Sequence, residues 1–330
     1  MPANLTAQYR KAEEAYRQAS SPEEELQCLQ EMLREIPKHK GTDHLQAELK
    51  QKISKAKKEC ETQSKSGKKR QGLRIPRQGA GRIVLIGGPN GGKSQLLATL
   101  SRATPEVAPY PFTTRQPQTG MMPREDVLVQ MIDMPPITSD VLEPYHQSLI
   151  RSADVVLLIV DLGDDDGIEH CQDVVGRLNQ TKTRLGRESY LDEHDLGLSF
   201  TRTLLVLNKL DDPDFEARLE LFEEMTDFDF PQFRISAVRG DGVDELREAI
   251  YELLDVVRVY TKQPNQKEPD YDKPYTIKRG GTLLEVAAMI HKDFAEKLKF
   301  ARVWGENVHA GTQVKGDYLV NDKDVIELHM

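Results

Sequence analysis

A chain of 330 residues with 38% hydrophobic and 30% charged residues is long enough for about two domains with buried cores, and too polar to be embedded in a bilayer. No apolar run reaches transmembrane length, and Met1-Pro2-Ala3-Asn4 lacks the basic-then-apolar order of a signal peptide, so no membrane contact and a cytoplasmic location are expected. Cys28, Cys60 and Cys171 are far apart and lack C-x-x-C spacing, so neither a disulfide framework nor a zinc site is indicated, and the net charge of −9 hides one strongly basic stretch.

Residues 4–36 read as helical. Ser21-Pro22-Glu23-Glu24 has the form of an N-cap, a proline at the first helical position and acids in the first turn, followed by Leu26, Leu29, Leu33 and Ile36 at helical spacing. Pro37 ends that helix. A second is expected from Thr42 or Asp43, with Leu45, Leu49 and Ile53 on one face. Residues 1–61 thus suggest a helical hairpin, or a mobile extension if two helices bury too little apolar surface. Residues 50–77 hold eleven Lys or Arg against Glu59 and Glu61, a composition suited to a polyanion such as RNA or to a solvated linker. Residues 62–79, rich in Ser, Lys, Gly and Gln, read as the linker.

Residues 80–262 form the next unit, and from Gly81 the pattern alternates strand and helix. The apolar run Ile83-Val84-Leu85-Ile86 leads into Gly87-Gly88-Pro89-Asn90-Gly91-Gly92-Lys93-Ser94, and Gln95 to Leu100 reads as a helix. This is G-x-x-x-x-G-K-[ST] in the strand-to-helix setting that a phosphate-binding loop requires. Its backbone N–H groups and the following helix N-terminus suit phosphate oxygens, Lys93 suits the β/γ-phosphates, and Ser94 suits Mg²⁺. Further strands are expected to end at Asp133, Asp161, Asn208 and Ser236, with helices between them, among them Ile168 to Leu185. Runs apolar on both faces imply a mostly parallel α/β sheet covered on both sides, with ligands outside the strands' carboxyl ends.

At that edge stand Asn208-Lys209-Leu210-Asp211 and Ser236-Ala237-Val238. A carboxylate at Asp211 can accept from both N1–H and the exocyclic amine of guanine, a pair that adenine does not present; backbone N–H groups near Ala237 suit O6, and the Lys209 stem can lie along the base. Guanine is therefore favoured. Gly163-Asp164-Asp165-Asp166-Gly167 has the wrong spacing for a calcium loop, and His194 among Asp192, Glu193 and Asp195 reads as surface loop. Residues 273–330 read as a small β-grasp, with strands at Pro274–Ile277, Phe300–Trp304 and Val325–Leu328. Its helix is capped by Thr282 and Glu285 and carries Val286, Ile290 and Phe294 on one face; Trp304 suits either base stacking or the core.

The phosphate loop, Tyr110-Pro111-Phe112-Thr113-Thr114, N-K-L-D and S-A-V together resemble the Obg-like class of GTPases. The flanks Leu33 to Ile53, Val257 to Lys262 and Thr282 to Gly305 resemble the developmentally regulated GTP-binding (DRG) proteins with their C-terminal TGS domain. The resemblance implies GTP hydrolysis to GDP and phosphate, with Lys93 and Thr114 as catalytic groups. It places Mg²⁺ on Ser94 and Thr114, Thr113 being the weaker candidate, with Asp133 behind them, and offers Asn90 either as a K⁺ ligand or as a brace for the turn. It also implies ribosome or RNA contact through the basic N-terminal region and the TGS domain, and a protein partner or activator. Two departures stand out. The family's D-x-P-G reads Asp133-Met134-Pro135-Pro136, so the N–H that meets the γ-phosphate is missing and Ile137 stands where Ras-like enzymes orient water with glutamine. The span Asp161 to Thr201 is also too short for the family's inserted subdomain. A GTP-binding scaffold with little hydrolysis is the alternative that Pro136 raises.

Overall fold

The computed structural model describes residues 5–19, 22–37, 40–66, 75–101, 106–107, 116–138, 142–192, 194–264, 266 and 268–330. Three helices come first, α1 (Ala7–Gln18), α2 (Pro22–Glu35) and α3 (Asp43–Ser66). α2 and α3 pack together, and α1 joins them as a third member that a two-helix hairpin does not include. The unit is no loose extension. Tyr9, Leu29, Met32 and Leu49 are buried together with Leu191 and Leu196 of the next domain, and removing each such side chain from water is worth roughly 1.5–3 kcal/mol. The Glu13 and Glu48 carboxylates accept from the Leu191 and Leu196 backbone N–H groups at 2.7 and 2.9 Å. With no Gly or Pro from Asp43 onward, α3 continues to Ser66 and into the basic stretch, leaving Lys50, Lys55 and Lys57 exposed. The far end of the expected linker also belongs to its neighbour, because Ile75 is in the core and Arg77 pairs with Asp154. Residues 67–74 lie outside the described residues.

The second unit runs β1 (Arg82–Gly87), α4 (Lys93–Ser101), β2 (Glu106–Val107), β3 (Gln118–Arg124), β4 (Val127–Asp133), α5 (Pro144–Ser152), β5 (Val155–Asp161), α6 (Gly167–Asn179), β6 (Thr183–Gly186), β7 (Tyr190–Leu191), β8 (Ser199–Asn208), α7 (Phe215–Met225), β9 (Gln232–Ile235) and α8 (Val243–Leu254). The strands form one sheet in the order β2-β3-β4-β1-β5-β8-β6, with β7 and β9 also on β8. β4, β1, β5, β8 and β9 are mutually parallel where they pair, and β3 is antiparallel to β4. One face is covered by Leu96, Leu97 and Leu100 of α4 with Leu246, Ile250 and Leu254 of α8. The other carries Leu149 and Ile150 of α5, Cys171 and Val174 of α6, and Leu219 and Phe222 of α7. The parallel strands therefore present Gly87, Asp133, Asp161, Asn208 and Ile235 at one edge.

The helix expected from Ile168 to Leu185 stops at Asn179. The Thr181 hydroxyl donates to the Leu178 carbonyl at 2.8 Å and accepts from the Thr183 N–H at 3.1 Å, which diverts the backbone and frees Thr183–Gly186 to pair with β8.

The third unit comprises β10 (Val256–Thr261), β11 (Asp270–Lys278), α9 (Leu283–Ile290), α10 (Lys292–Lys297), β12 (Phe300–Gly305), β13 (Val308–Val314) and β14 (Asp324–His329), with sheet order β11-β10-β14-β12-β13. This small sheet begins at Val256 rather than Lys273, because β10 pairs with β11 and β14 and not with the larger sheet. Thr282 and Glu285 form the capping box, but the helix breaks at His291, whose ring accepts from the Asp293 N–H at 3.2 Å and caps a second helix, so Phe294 leaves the common face. Trp304 is partly exposed outside the core, with the Lys262 ammonium 4.6 Å from its ring centre.

Polar contacts also tie the third unit to the other two. Arg258 of β10 meets Glu125 and Asp126 in the turn between β3 and β4 as well as Asp322 of its own domain, and the Tyr260 hydroxyl donates to Asp126. Lys11 and Glu14 of α1 pair with Glu285 and Lys278.

Candidate functional site

The phosphate loop follows from close packing at the end of β1. A Cβ at Gly87 would lie 2.5 Å from the Ile159 carbonyl oxygen, and one at Gly92, whose φ is 88°, would lie 2.3 Å from Asn208 Nδ2. Asn90 has φ 56° and an exposed side chain, and Pro89 and Gly91 complete the turn before α4 opens at Lys93. The buried Lys93 ammonium donates to the Gly88 carbonyl at 2.5 Å and the Gly87 carbonyl at 3.3 Å. Burial brings its pKa down to about 8, with Asp133 pulling the other way.

The Ser94 hydroxyl donates to Asp133 Oδ2 at 2.5 Å, while Asp133 Oδ1 is buried without a hydrogen-bond partner. Burial raises the Asp133 carboxyl, opposed by Ser94 and Lys93. A hydroxyl and a carboxylate with one unused oxygen suit a hard divalent cation. Thr113 and Thr114, and all of Tyr110–Thr114, lie outside the described residues.

Asn208 holds the loop to the base-side segments. Its Nδ2 donates to the Gly91 carbonyl at 2.9 Å, and its Oδ1 accepts from the Ala237 N–H at 3.0 Å. Losing either bond would leave a buried polar group unpaired, at about 1–3 kcal/mol. The Ser236 hydroxyl donates to Asp211 Oδ1 at 2.5 Å, keeping that carboxylate ionised below its ordinary range. Lys209 adopts φ 77° beside Gly163, and Val238 is exposed. The structure thus gathers the predicted residues from Gly87 to Ser94, Asp133, Asn208 to Asp211, and Ser236 to Val238 along one edge. Arg239, which sequence reasoning passed over, donates its N–H to Ser236 Oγ and its guanidinium to the Asp211 carbonyl.

A cavity of about 400 Å³ opens between the phosphate loop and the segment after β4, lined by Lys93, Ser94, Asp133, Pro135 and Pro136, with Gln116 and Gln118 on the third side. Pro135 and Pro136 have no N–H. The flanking donors are committed, Met134 N–H to the Leu85 carbonyl at 3.2 Å and Ile137 N–H to the Gly87 carbonyl at 3.4 Å. Met134 and Ile137 anchor this segment in the core.

Behind it His146 is fully buried, and its Nδ1 accepts from the Glu143 N–H at 2.9 Å. Burial holds its pKa down at about 4. An unfolded chain takes up this proton near pH 6.5 and the folded one only near 4, so acid favours unfolding across that interval, by up to about 3 kcal/mol. Melting temperature should therefore drop between pH 6.5 and 4 in the natural protein and drop less in His146→Gln, which can keep the cap; parallel pH profiles would refute this.

The 50S ribosome-binding GTPase family model matches residues 82–209, and the TGS domain model matches residues 257–330. An uncharacterized GTP-binding protein of Methanocaldococcus jannaschii is 28% identical over 362 aligned positions, spanning 93% of this chain and 92% of that protein. GTP-binding protein 1 of Schizosaccharomyces pombe is 26% identical, spanning 92% and 98% of the two chains. Developmentally-regulated GTP-binding protein 1 of Xenopus laevis is 27% identical, spanning 88% and 94%.

Proposed function

Because this chain joins a P-loop GTPase domain to a TGS domain, as in the DRG and Obg-like GTP-binding proteins that it resembles over most of its length, we propose that it binds GTP and GDP, hydrolyses GTP slowly, and acts in the cytoplasm on ribosomes or RNA. The observation that carries the nucleotide reading is the Asn208 bridge, which ties the phosphate loop at Gly91 to the Ala237 segment beside Asp211. In this reading Asp211 accepts from the guanine edge, and Lys93 neutralises charge on the β/γ-phosphates. Mg²⁺ would sit against Ser94 and Thr114, with Asp133 supporting it, and supply Lewis-acid charge at the phosphates; K⁺ would be added at Asn90. The segment 134–137, which lacks any free N–H, favours a second reading in which the protein is a GTP-loaded scaffold.

The test is competition for labelled GTP together with phosphate release. GDP should compete at similar concentration, whereas ATP should need at least about a hundredfold more. Phosphate release at background in GTP, Mg²⁺ and K⁺, with and without ribosomes, would overturn the enzymatic part.

The RNA part predicts affinity that falls steeply with salt, because contacts with phosphates release counterions. Removing the whole N-terminal region would strip Leu191 and Leu196 of their partners, so the informative variant reverses the exposed charges of α3, Lys50, Lys55 and Lys57, to glutamate. Affinity should fall at least about tenfold and the salt slope should become shallower. RNA binding that ignores both salt and these substitutions would sink the idea.

A further inference from the structure

GTP differs from GDP only in its γ-phosphate, and residues 134–137 offer that group no N–H: Pro135 and Pro136 have none, and those of Met134 and Ile137 are bonded elsewhere. A protein that tells the two nucleotides apart must then find a donor on another element. We propose that Gln118 is that donor, its side-chain amide recognising the γ-phosphate in place of the missing peptide N–H.

Three observations converge on this residue. First, Gln118 stands directly opposite Asp133 in the antiparallel β3–β4 pair. Residues so paired project from the same face of the sheet, with Cβ atoms roughly 4.5–5.5 Å apart. Asp133 uses that face to meet Ser94 at the start of α4. Second, the next residues of β3 with the same orientation also face α4. A Cβ at Gly120 would lie 2.9 Å from Leu97 and 3.0 Å from Ser101, and Met122 is buried with Leu96, Leu97 and Leu100. Stepping back by two from Gly120 brings Gln118 over the first turn of α4, beside Lys93 and Ser94. Third, Gln118 lines the cavity that Pro135, Pro136, Lys93 and Ser94 also line.

The chemistry fits the vacancy left by a peptide N–H. A carboxamide carries two donors and no charge, and its N–H···O bonds to an anionic oxygen are stronger than neutral ones. Being neutral, it avoids adding to the Lys93 charge that both nucleotides share. Gln118 is accordingly a residue that discriminates GTP from GDP, not one that sets affinity for guanine nucleotides as a class.

This inference rests on the guanine-nucleotide reading, so the experiment measures the natural protein alongside its variants. Dissociation constants for GDP and for a non-hydrolysable GTP analogue are compared in the natural protein, Gln118→Met and Gln118→Glu. Gln118→Met should weaken the analogue about tenfold and leave GDP within about twofold; Gln118→Glu, which sets a carboxylate against the γ-phosphate, should weaken the analogue by about a hundredfold or more. Adding Pro136→Gly to Gln118→Met restores a backbone donor and should recover most of the lost analogue affinity, which a merely structural role for Gln118 does not predict. An unchanged analogue-to-GDP ratio in both single variants overturns the proposal while the nucleotide reading stands. Equal loss of both nucleotides also overturns it, since the residue then serves the loop or the fold. No guanine nucleotide bound by the natural protein overturns both.

Discussion

Asp211→Asn is expected to lower GTP affinity by about a thousandfold or more and to give the protein measurable affinity for xanthosine triphosphate. The carboxylate can accept from guanine N1–H and the 2-amino group together. An asparagine keeps one acceptor and turns an NH₂ group toward the other donor, so one hydrogen bond is lost and two donors face each other. A site built to hydrogen-bond a substrate group rejects the mismatched analogue by about 10⁴–10⁵ when its polar groups are left unpaired. Xanthine carries an oxygen where guanine has the amine and accepts from the new NH₂. The substitution should leave the fold intact, because the Ser236 hydroxyl can still donate to the asparagine oxygen and the Arg239 guanidinium bonds the unaltered backbone carbonyl of residue 211. The measurement is competition by GTP and xanthosine triphosphate for a labelled analogue of each. GTP affinity within about tenfold of the natural protein would show that Asp211 does not read the base.

Pro136→Gly is expected to raise phosphate release, by as much as about a hundredfold, because a single correctly aimed donor to developing oxyanion charge is worth about 10²–10³ in rate. The substitution adds an N–H on the wall of the cavity that also holds Lys93 and Ser94. It loosens the unfolded chain more than it disturbs the native one, at a stability cost of about 1 kcal/mol, since Met134 and Ile137 keep the segment anchored. Single-turnover phosphate release, read with Mg²⁺ and K⁺ present, separates the two functional readings. If the natural protein is already as fast as the variant, the scaffold reading loses its support. If both stay at background while GTP binds tightly, hydrolysis is limited elsewhere in the site, and the proline is not the cause.

The parts of the site carried by consecutive residues were legible from sequence. Gly87 to Ser94, Asn208 to Asp211 and Ser236 to Val238 each pair a turn with its chemistry within a few positions, and each follows a stretch that reads as a strand. What sequence did not disclose are relations between segments. Asn208 is readable as part of N-K-x-D, but its bridge from Gly91 to Ala237 exists only once three strand ends stand side by side. Gln118 lies in β3, whose Gly120 and Pro123 spoil any strand pattern, and its role depends on a pairing with Asp133 that no local signal announces. The added N-terminal helix, α1, joins the core through Tyr9 and Ala12, with Leu5 and Tyr16 packed beside them, and its docking shows only with Leu191 and Leu196 in place. The same holds for β10, apolar enough to end the larger sheet and yet claimed by the smaller one.

The knot at Arg258 bears on how separable the two modules are. By its sheet the residue belongs to the TGS domain; by its charges it belongs equally to the GTPase domain, whose Glu125 and Asp126 share its guanidinium with Asp322. These partners hold Arg258 firmly protonated, with Asp322 the strongest influence. Lifting the TGS domain away would leave this cation with one carboxylate and the Tyr260 hydroxyl without Asp126. The two domains are therefore not interchangeable beads on a thread. A TGS domain transplanted onto this GTPase domain must bring a matching cation, or arrive with the β3–β4 turn that recognises it, and the working border between the two runs through the protein surface, not through the chain at Val256.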